Sequence, residues 1–366
     1  MMGDIALIIA IKAVTMRGNC YIFNVIGEKC IHVLKVKHFD FIIRTNMGKV
    51  FMNKIKEIQE NIAKIIVGKE DVILYTLVSM VAGGHVLLED VPGTGKTMLA
   101  KALSNSIEGS FNRIQFTPDL LPSDITGLNV YQAGKGEFVF NEGPVFCDIL
   151  LADEINRATP RTQAGLLECM EERQVTIDGQ TRKLSDAFFV IATQNPIETS
   201  GTFPLPEAQL DRFIMKLSMG FPGKAQELEI LKRFQEGNKT EKLSEMESVA
   251  SLSDIIAMRK EAMAVCVHQD ILAYITEIIE ATRKRNDVAS GVSPRGSLAL
   301  LYCAKVLAYA NDRNYVIPED IKALAVPVLA HRLIMGNTYG SSKNAASVIE
   351  EILAEVPVPT EAGLLN

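Results

Sequence analysis

No stretch of the 366-residue chain reaches about 18 consecutive apolar residues, so nothing in it reads as a helix built to cross a bilayer. A surplus of positive charge is also missing. The 38 Lys and Arg stand against 44 Asp and Glu, net −6, which argues against a uniformly basic nucleic-acid surface. The six cysteines (Cys20, Cys30, Cys147, Cys169, Cys266, Cys303) form no C-x-x-C pair and no metal-ligand spacing. They read as free thiols in a reducing cytoplasm. Glycine (25) and proline (14) are too few for a collagen-like or low-complexity chain. With 48% hydrophobic and 22% charged residues, the composition is that of one or two globular domains with real cores.

The charge is unevenly spread. Residues 1–51 carry seven Lys and Arg against three acids, net +4, which leaves −10 for the rest of a chain at −6. This leader is rich in β-branched residues, but no turn punctuation in it defines a fold. Its apolar stretch Ile5–Val14 is interrupted by Lys12 and precedes no clear small-residue cleavage site, so it makes a poor signal peptide. From Met52 the text changes, and Ile55, Ile58, Ile62, Ile65 and Ile66 fall on one helical face. Residues 1–51 are therefore expected to be an extension without a role in the chemistry, with Met52 as a natural start.

Between 85 and 219, short apolar runs alternate with helical patterns. The runs are His85–Glu89, Arg113–Phe116, Asp148–Asp153, Phe188–Thr193 and Ile214–Met219, and Lys96–Ser104 and Thr162–Arg173 lie between them. That order predicts an α/β domain over 52–221, with a parallel sheet flanked by helices. Phe221-Pro-Gly223 punctuates the chain, and 222–366 read as an all-helical domain. Its stripes are Ile271, Tyr274, Ile275, Ile278 and Thr282, then Leu300, Leu301, Ala304 and Leu307. Pro318-Glu-Asp320 marks a helix start, and Pro327 is expected to break or kink the segment after it.

The chemistry begins at Asp90-Val-Pro-Gly-Thr-Gly-Lys-Thr97, between an apolar strand and the helix opening Met98-Leu-Ala. Gly93 and Gly95 let the backbone approach phosphates while N–H groups converge at a helix N-terminus. Lys96 suits the β- and γ-phosphates of ATP, and the Thr97 hydroxyl suits Mg²⁺. The usual first glycine of this loop is replaced by Asp90, a residue that tolerates left-handed backbone. Ile149-Leu-Leu-Ala-Asp-Glu154 is an apolar strand ending in two carboxylates, a costly arrangement unless they are used. Asp153 suits the Mg²⁺ shell and Glu154 the polarisation of an attacking water. A second strand ends in Thr193-Gln-Asn-Pro196, which puts the Asn195 amide at a strand tip.

The ordered set Asp90–Thr97, Leu151-Ala-Asp-Glu-Ile-Asn-Arg157, Glu171–Thr176, Thr193–Pro196 and Thr202–Phe213 resembles the MoxR family of AAA+ ATPases, from about residue 53 to the end. The resemblance implies a P-loop AAA+ core with a helical lid, and ATP held by Gly93, Thr94, Gly95, Lys96, Thr97 and Met98. It further implies that Val67 and Gly68 pack by the adenine and that Asn195 is sensor 1. Arg212 corresponds to an arginine finger reaching a neighbouring subunit. Arg295, in Ser293-Pro-Arg-Gly-Ser297, corresponds to the sensor 2 arginine. Ring hexamers, protein clients and a partner with a von Willebrand factor A domain are implied as well. The segments Gly127–Phe140 and Val175–Leu184, the second turning at Asp178-Gly179, correspond to client-facing hairpins. Two other readings stay open. A DNA-remodelling motor is disfavoured by the −10 body, although Lys135, Arg182 and Lys183 are basic. A nucleotide-gated scaffold is disfavoured by Glu154.

Overall fold

The computed structural model describes residues 10–16, 19–26, 29–36, 54–134, 136–196, 201–235, 243, 245–336 and 344–359. Met52 and Lys135 lie outside them. Contacts divide the chain into two units, 1–50 and 51–366. The first unit has regular structure although no turn punctuation in its sequence defined a fold. Its described residues hold three strands, β1 (Ala10–Met16), β2 (Asn19–Ile26) and β3 (Lys29–Val36), paired antiparallel in that order. β-branched residues favour such pairing.

In the second unit, α1 (54–63) and α2 (Glu70–Val81) precede β4 (Val86–Glu89) and α3 (Lys96–Ser106). Then come β5 (Phe111–Gln115), α4 (Pro122–Thr126), β6 (Gly127–Gln132), β7 (Glu137–Glu142) and β8 (Ile149–Asp153). After α5 (Pro160–Glu172) come β9 (Gln174–Ile177), β10 (Gln180–Lys183), β11 (Phe189–Gln194), α6 (Glu207–Leu210) and β12 (Met215–Leu217). All five expected core strands form one sheet, in the order β12-β4-β11-β8-β5 and parallel throughout.

Why the sheet reads as continuous apolar runs is plain from its packing. Alternate residues feed two separate cores. Val86, Leu88, Ile149, Leu151, Phe189 and Ile191 face one, and Leu87, Leu150, Ala152, Val190 and Ala192 face the other. A sheet covered on both faces leaves no polar alternation. Register then brings Glu89, Gln194, Asp153 and Gln115 to one carboxyl edge.

Among the described residues, the helical part holds α7 (Lys224–Gln235), α8 (Leu252–Met263), α9 (Gln269–Lys284), α10 (Pro294–Ala310), α11 (Pro318–Leu329) and α12 (Ala345–Glu355). One short antiparallel pair, β13 (Val288–Ser290) with β14 (Ile334–Met335), interrupts it. The boundary at 221/222 is a change of architecture rather than a gap in packing. Ile55, Ile58, Ile62, Ile73 and Leu77 from α1 and α2 share one core with Ile255, Met258, Tyr274 and Leu324. Pro327 does not break α11, which runs on to Leu329. The proline ring removes the donor for the Ala323 carbonyl, and the Tyr75 hydroxyl approaches that oxygen at 3.5 Å. Both expected hairpins form. β6 pairs with β7, and β9 with β10 through Asp178 (φ 49°) and Gly179 (φ 76°), as a two-residue turn requires.

Cys147, Cys169, Cys266 and Cys303 are free thiols, and burial pushes Cys147, Cys169 and Cys303 up to about 12. No helix among the described residues is long and apolar enough to cross a membrane.

His85, just before β4, is fully enclosed. Its Nδ1 accepts from the Val190 N–H at 3.0 Å and its Nε2 lies 3.0 Å from the Met170 carbonyl, which assigns the ring proton to Nε2. Burial pushes its pKa from 6.5 down to about 3. Because the folded state binds the proton less readily than the unfolded chain, this contribution to stability is whole above pH 6.5 and lost as pH falls toward 3. His331 is shifted the same way by burial and the adjacent Arg332. For His85 the cost is on the order of 1 kcal/mol per pH unit within that window. Thermal melting is expected at a lower temperature at about pH 5 than at about pH 7.5, with a shallower slope in His85→Gln. Identical slopes in the two proteins would remove His85 from the account.

Candidate active site

β4 ends at Glu89, and the chain turns through Asp90–Gly95 into α3. Gly93 (φ 84°) and Gly95 (φ 97°) adopt left-handed backbone, and Gly95 caps α3. No atom lies within 4 Å of where a Gly93 Cβ would sit, so the residue leaves open space as well as supplying the turn. The first N–H groups of α3 have no helical acceptor and point along the positive end of its dipole.

Asp90 does not use the left-handed tolerance expected of it, for it is absent from the positive-φ residues among those described. Its carboxylate instead accepts from Ser218 Oγ (2.8 Å), Met219 N (2.5 Å) and Gly220 N (3.1 Å). The loop is thereby tied to the chain that leaves β12. A glycine could not make that tie.

Lys96 reaches back over the loop, and its Nζ donates to the Asp90 carbonyl at 2.7 Å and the Val91 carbonyl at 3.2 Å. Burial lowers its pKa, while Asp90, Asp153 and Glu154 pull in the other direction. Asp153, at the tip of β8, accepts from Thr193 Oγ1 through Oδ1 and from Arg113 Nη2 through Oδ2, both at 2.6 Å. Thr193 acts twice, because its Oγ1 also accepts from the Glu154 N–H at 2.9 Å.

Glu154 has φ 57° and ψ 50°, a left-handed conformation that costs a non-glycine residue roughly 1–2 kcal/mol. This turn takes its side chain out of the β8 pleat. Oε2 accepts from Gln115 Nε2 at 2.8 Å and from Arg157 Nε at 2.9 Å. Asn195, buried at the end of β11, completes the group.

These residues line one cavity of about 350 Å³, with Gly93, Gly95, Lys96, Thr97 and Met98 from the loop and α3 and Arg113, Asp153, Glu154, Thr193 and Asn195 from the strand ends. A helix N-terminus, a lysine and a strand-tip carboxylate pair facing one space can bind a polyphosphate and place water against it. The donor set also fits Mg²⁺. That ion takes one or two carboxylates and keeps its remaining positions for water and substrate phosphate. Asp153 and Thr97 offer such a partial set, and no cluster of three or more His, Cys, Asp or Glu side chains able to hold a metal occurs among the described residues.

Five of the expected residues stand elsewhere. Thr94 Oγ1 turns inward to the Val91 carbonyl at 3.3 Å. Val67 and Gly68 lie on the loop before α2, where the Gly68 carbonyl accepts from Gln226 Nε2 of α7 at 3.0 Å. Arg212 and Arg295 do not line the phosphate cavity. They meet each other on Glu171, Arg212 Nη2 at 3.2 Å from Oε2 and Arg295 Nη2 at 2.8 Å from Oε1. Sequence reasoning missed Arg113, Gln115, Arg157 and Thr193. The one available signal was Arg113 and Gln115 as polar residues two apart on a strand, which share a face.

Known proteins resemble this chain over most of its length. Residues 85–215 match the ATPase family associated with various cellular activities (AAA), and residues 280–352 match the AAA lid domain. YeaC of Bacillus subtilis, an uncharacterised protein, is 48% identical over 82% of this chain and 94% of its own. Chaperone MoxR1 of Mycobacterium tuberculosis is 41% identical over 81% of this chain and 80% of its own. Protein MoxR of Methylorubrum extorquens is 30% identical over 82% and 94%. A crystal structure from Cytophaga hutchinsonii superposes with a TM-score of 0.81 at 38% identity, covering 88% of this chain and 99% of that one.

Proposed function

The chain belongs to the MoxR family of AAA+ ATPases, and from that premise we propose that it hydrolyses ATP in a Mg²⁺-dependent homo-oligomeric ring, as a chaperone-like factor acting on protein clients. One observation carries the reading. A single cavity gathers Lys96, Thr97, Asp153, Glu154 and Asn195, while Arg212 and Arg295 wait together outside it.

In this reading the α3 N-terminus and Lys96 hold the β- and γ-phosphates. Thr97 and Asp153 would hold Mg²⁺, which when bound neutralises charge on the phosphate oxygens. Glu154 orients a water toward the γ-phosphorus, and Asn195 aligns it. The fixed partners of Glu154 (Gln115 and Arg157 on its carboxylate, Thr193 on its N–H) keep it in place before substrate arrives, the pre-organisation that positioning catalysis needs. Arg212 supplies the remaining positive charge from the next subunit. Protein clients, with a von Willebrand factor A domain partner among them, are favoured over DNA by the acidic body of the chain.

The test is phosphate release from ATP over a range of protein concentrations, with and without Mg²⁺. Specific activity per chain is expected to rise steeply with concentration as rings form, and to vanish with chelator. Activity per chain that stays constant from dilute to concentrated protein would sink the ring; strong stimulation by DNA would favour the motor.

A further inference from the structure

Two guanidinium groups repel one another, yet Arg212 and Arg295 come from segments 83 positions apart in sequence and are brought to one carboxylate. Glu171, in the last turn of α5, divides its oxygens between them: Oε2 to Arg212 and Oε1 to Arg295. The backbone beneath is also pinned. Arg332 is buried, and it donates to Asp211 Oδ1 at 2.7 Å, to the Asp211 carbonyl at 3.2 Å and to the Phe213 carbonyl at 2.7 Å. Asp211 in turn accepts from Ser293 Oγ at 3.3 Å, two residues before Arg295, whose Nε stands 3.9 Å from Asp211 Oδ2. Arg332 thus sets where residue 212 stands, and Asp211 ties the start of α10 to the same place. Glu171 bridges the two cationic heads themselves.

The three guanidinium groups of Arg212, Arg295 and Arg332 meet the two carboxylates of Glu171 and Asp211. The cluster borders a groove with the half-exposed Leu298 and Tyr302 of α10, a face that lies outside the chain's own phosphate cavity. A planar guanidinium is worth most when its fork is oriented before it meets phosphate. We propose that Glu171 is a positioning residue that holds Arg212 and Arg295 as one aligned pair, so that both reach the same polyphosphate on a second copy of this chain. The inference rests on the ring reading above. Glu171 joins the core to the helical part through this pair, so a glutamine, with one acceptor oxygen and an amide that repels guanidinium, releases one arm.

The experiment compares wild type with Glu171→Gln, Glu171→Asp, Arg212→Ala and the double variant Glu171→Gln/Arg212→Ala, reading turnover, half-saturating ATP and melting temperature. Misplacement of one arm is expected to lower turnover about 10- to 100-fold in Glu171→Gln, with half-saturating ATP and melting temperature within about twofold and a few degrees of wild type. Glu171→Asp, which keeps the charge on a shorter arm, should recover part of the loss. In the Arg212→Ala background the Gln substitution should add little, because residues acting as a unit are non-additive. Full turnover in Glu171→Gln beside a crippled Arg212→Ala overturns the positioning role and leaves the ring reading standing. Losses that multiply in the double variant, or that track a fallen melting temperature, overturn the positioning role in the same way. Full turnover in Arg212→Ala itself overturns both.

Discussion

Glu154→Gln is expected to bind ATP as tightly as wild type and to lose turnover by about a thousandfold or more, the range for removing a group that acts on the attacking water. The substitution suits the site. Glutamine has the shape of glutamate, so the left-handed backbone at φ 57° is retained with the same strain. The amide oxygen can still accept from Gln115 Nε2, while the ion pair with Arg157 becomes a neutral contact. What disappears is the negative charge facing the cavity, while Asp90 and Asp153 remain beside Lys96 to favour its charged form. Equilibrium binding of a fluorescent ATP analogue, set beside phosphate release, separates the two effects. Hydrolysis at the wild-type rate would remove Glu154 from the chemistry. Because the variant should accumulate in the ATP-bound form, it is also the bait of choice for isolating a client.

Arg212→Ala should fall by about 10³ to 10⁵ in turnover, as loss of an arginine finger does in related nucleotide hydrolases. Its binding of ATP should be unchanged, because Arg212 does not line the phosphate cavity of its own chain. The fold should hold too: Arg212 is partly exposed, and its ion pair with Glu171 is of the half-solvated kind that contributes little to stability. Mixing makes the prediction specific. Arg212→Ala supplies an intact cavity without a finger, and Lys96→Ala supplies a finger beside a damaged cavity. Mixed assemblies of two inactive proteins should regain part of the activity, since some junctions then pair a good cavity with a good arginine. If no ratio restores hydrolysis, the arginine acts within its own chain or not at all.

How far the sequence could be read depended on the range of the interactions involved. Local order was legible: an apolar strand, two glycines and Lys-Thr opening a helix are neighbours in the chain, and they lie together in space. The Asp153–Glu154 pair was legible for the same reason, since an apolar run that ends in two acids is itself anomalous. The partners were not. Gln115 meets Glu154 from 39 positions away, Ser218 meets Asp90 from 128, and Arg295 meets Glu171 from 124. No periodicity reports a contact of that kind.

Asp90 shows the difference well. As a departure from a glycine it invited a backbone explanation, and its side chain proved to be the point. The net −6 divides in the same way. Sequence alone determined that a −10 body stands behind a +4 leader, and it singled out the residues of that body proposed to carry phosphate chemistry. Tertiary structure alone decided that the leader pairs into three strands, and that Arg212 and Arg295 share a carboxylate apart from the cavity lined by Lys96 and Glu154. The reason is physical. Composition and spacing reveal what a segment can form with its own neighbours, whereas the direction of a charged side chain is set by whatever the folded sheet and helices bring beside it.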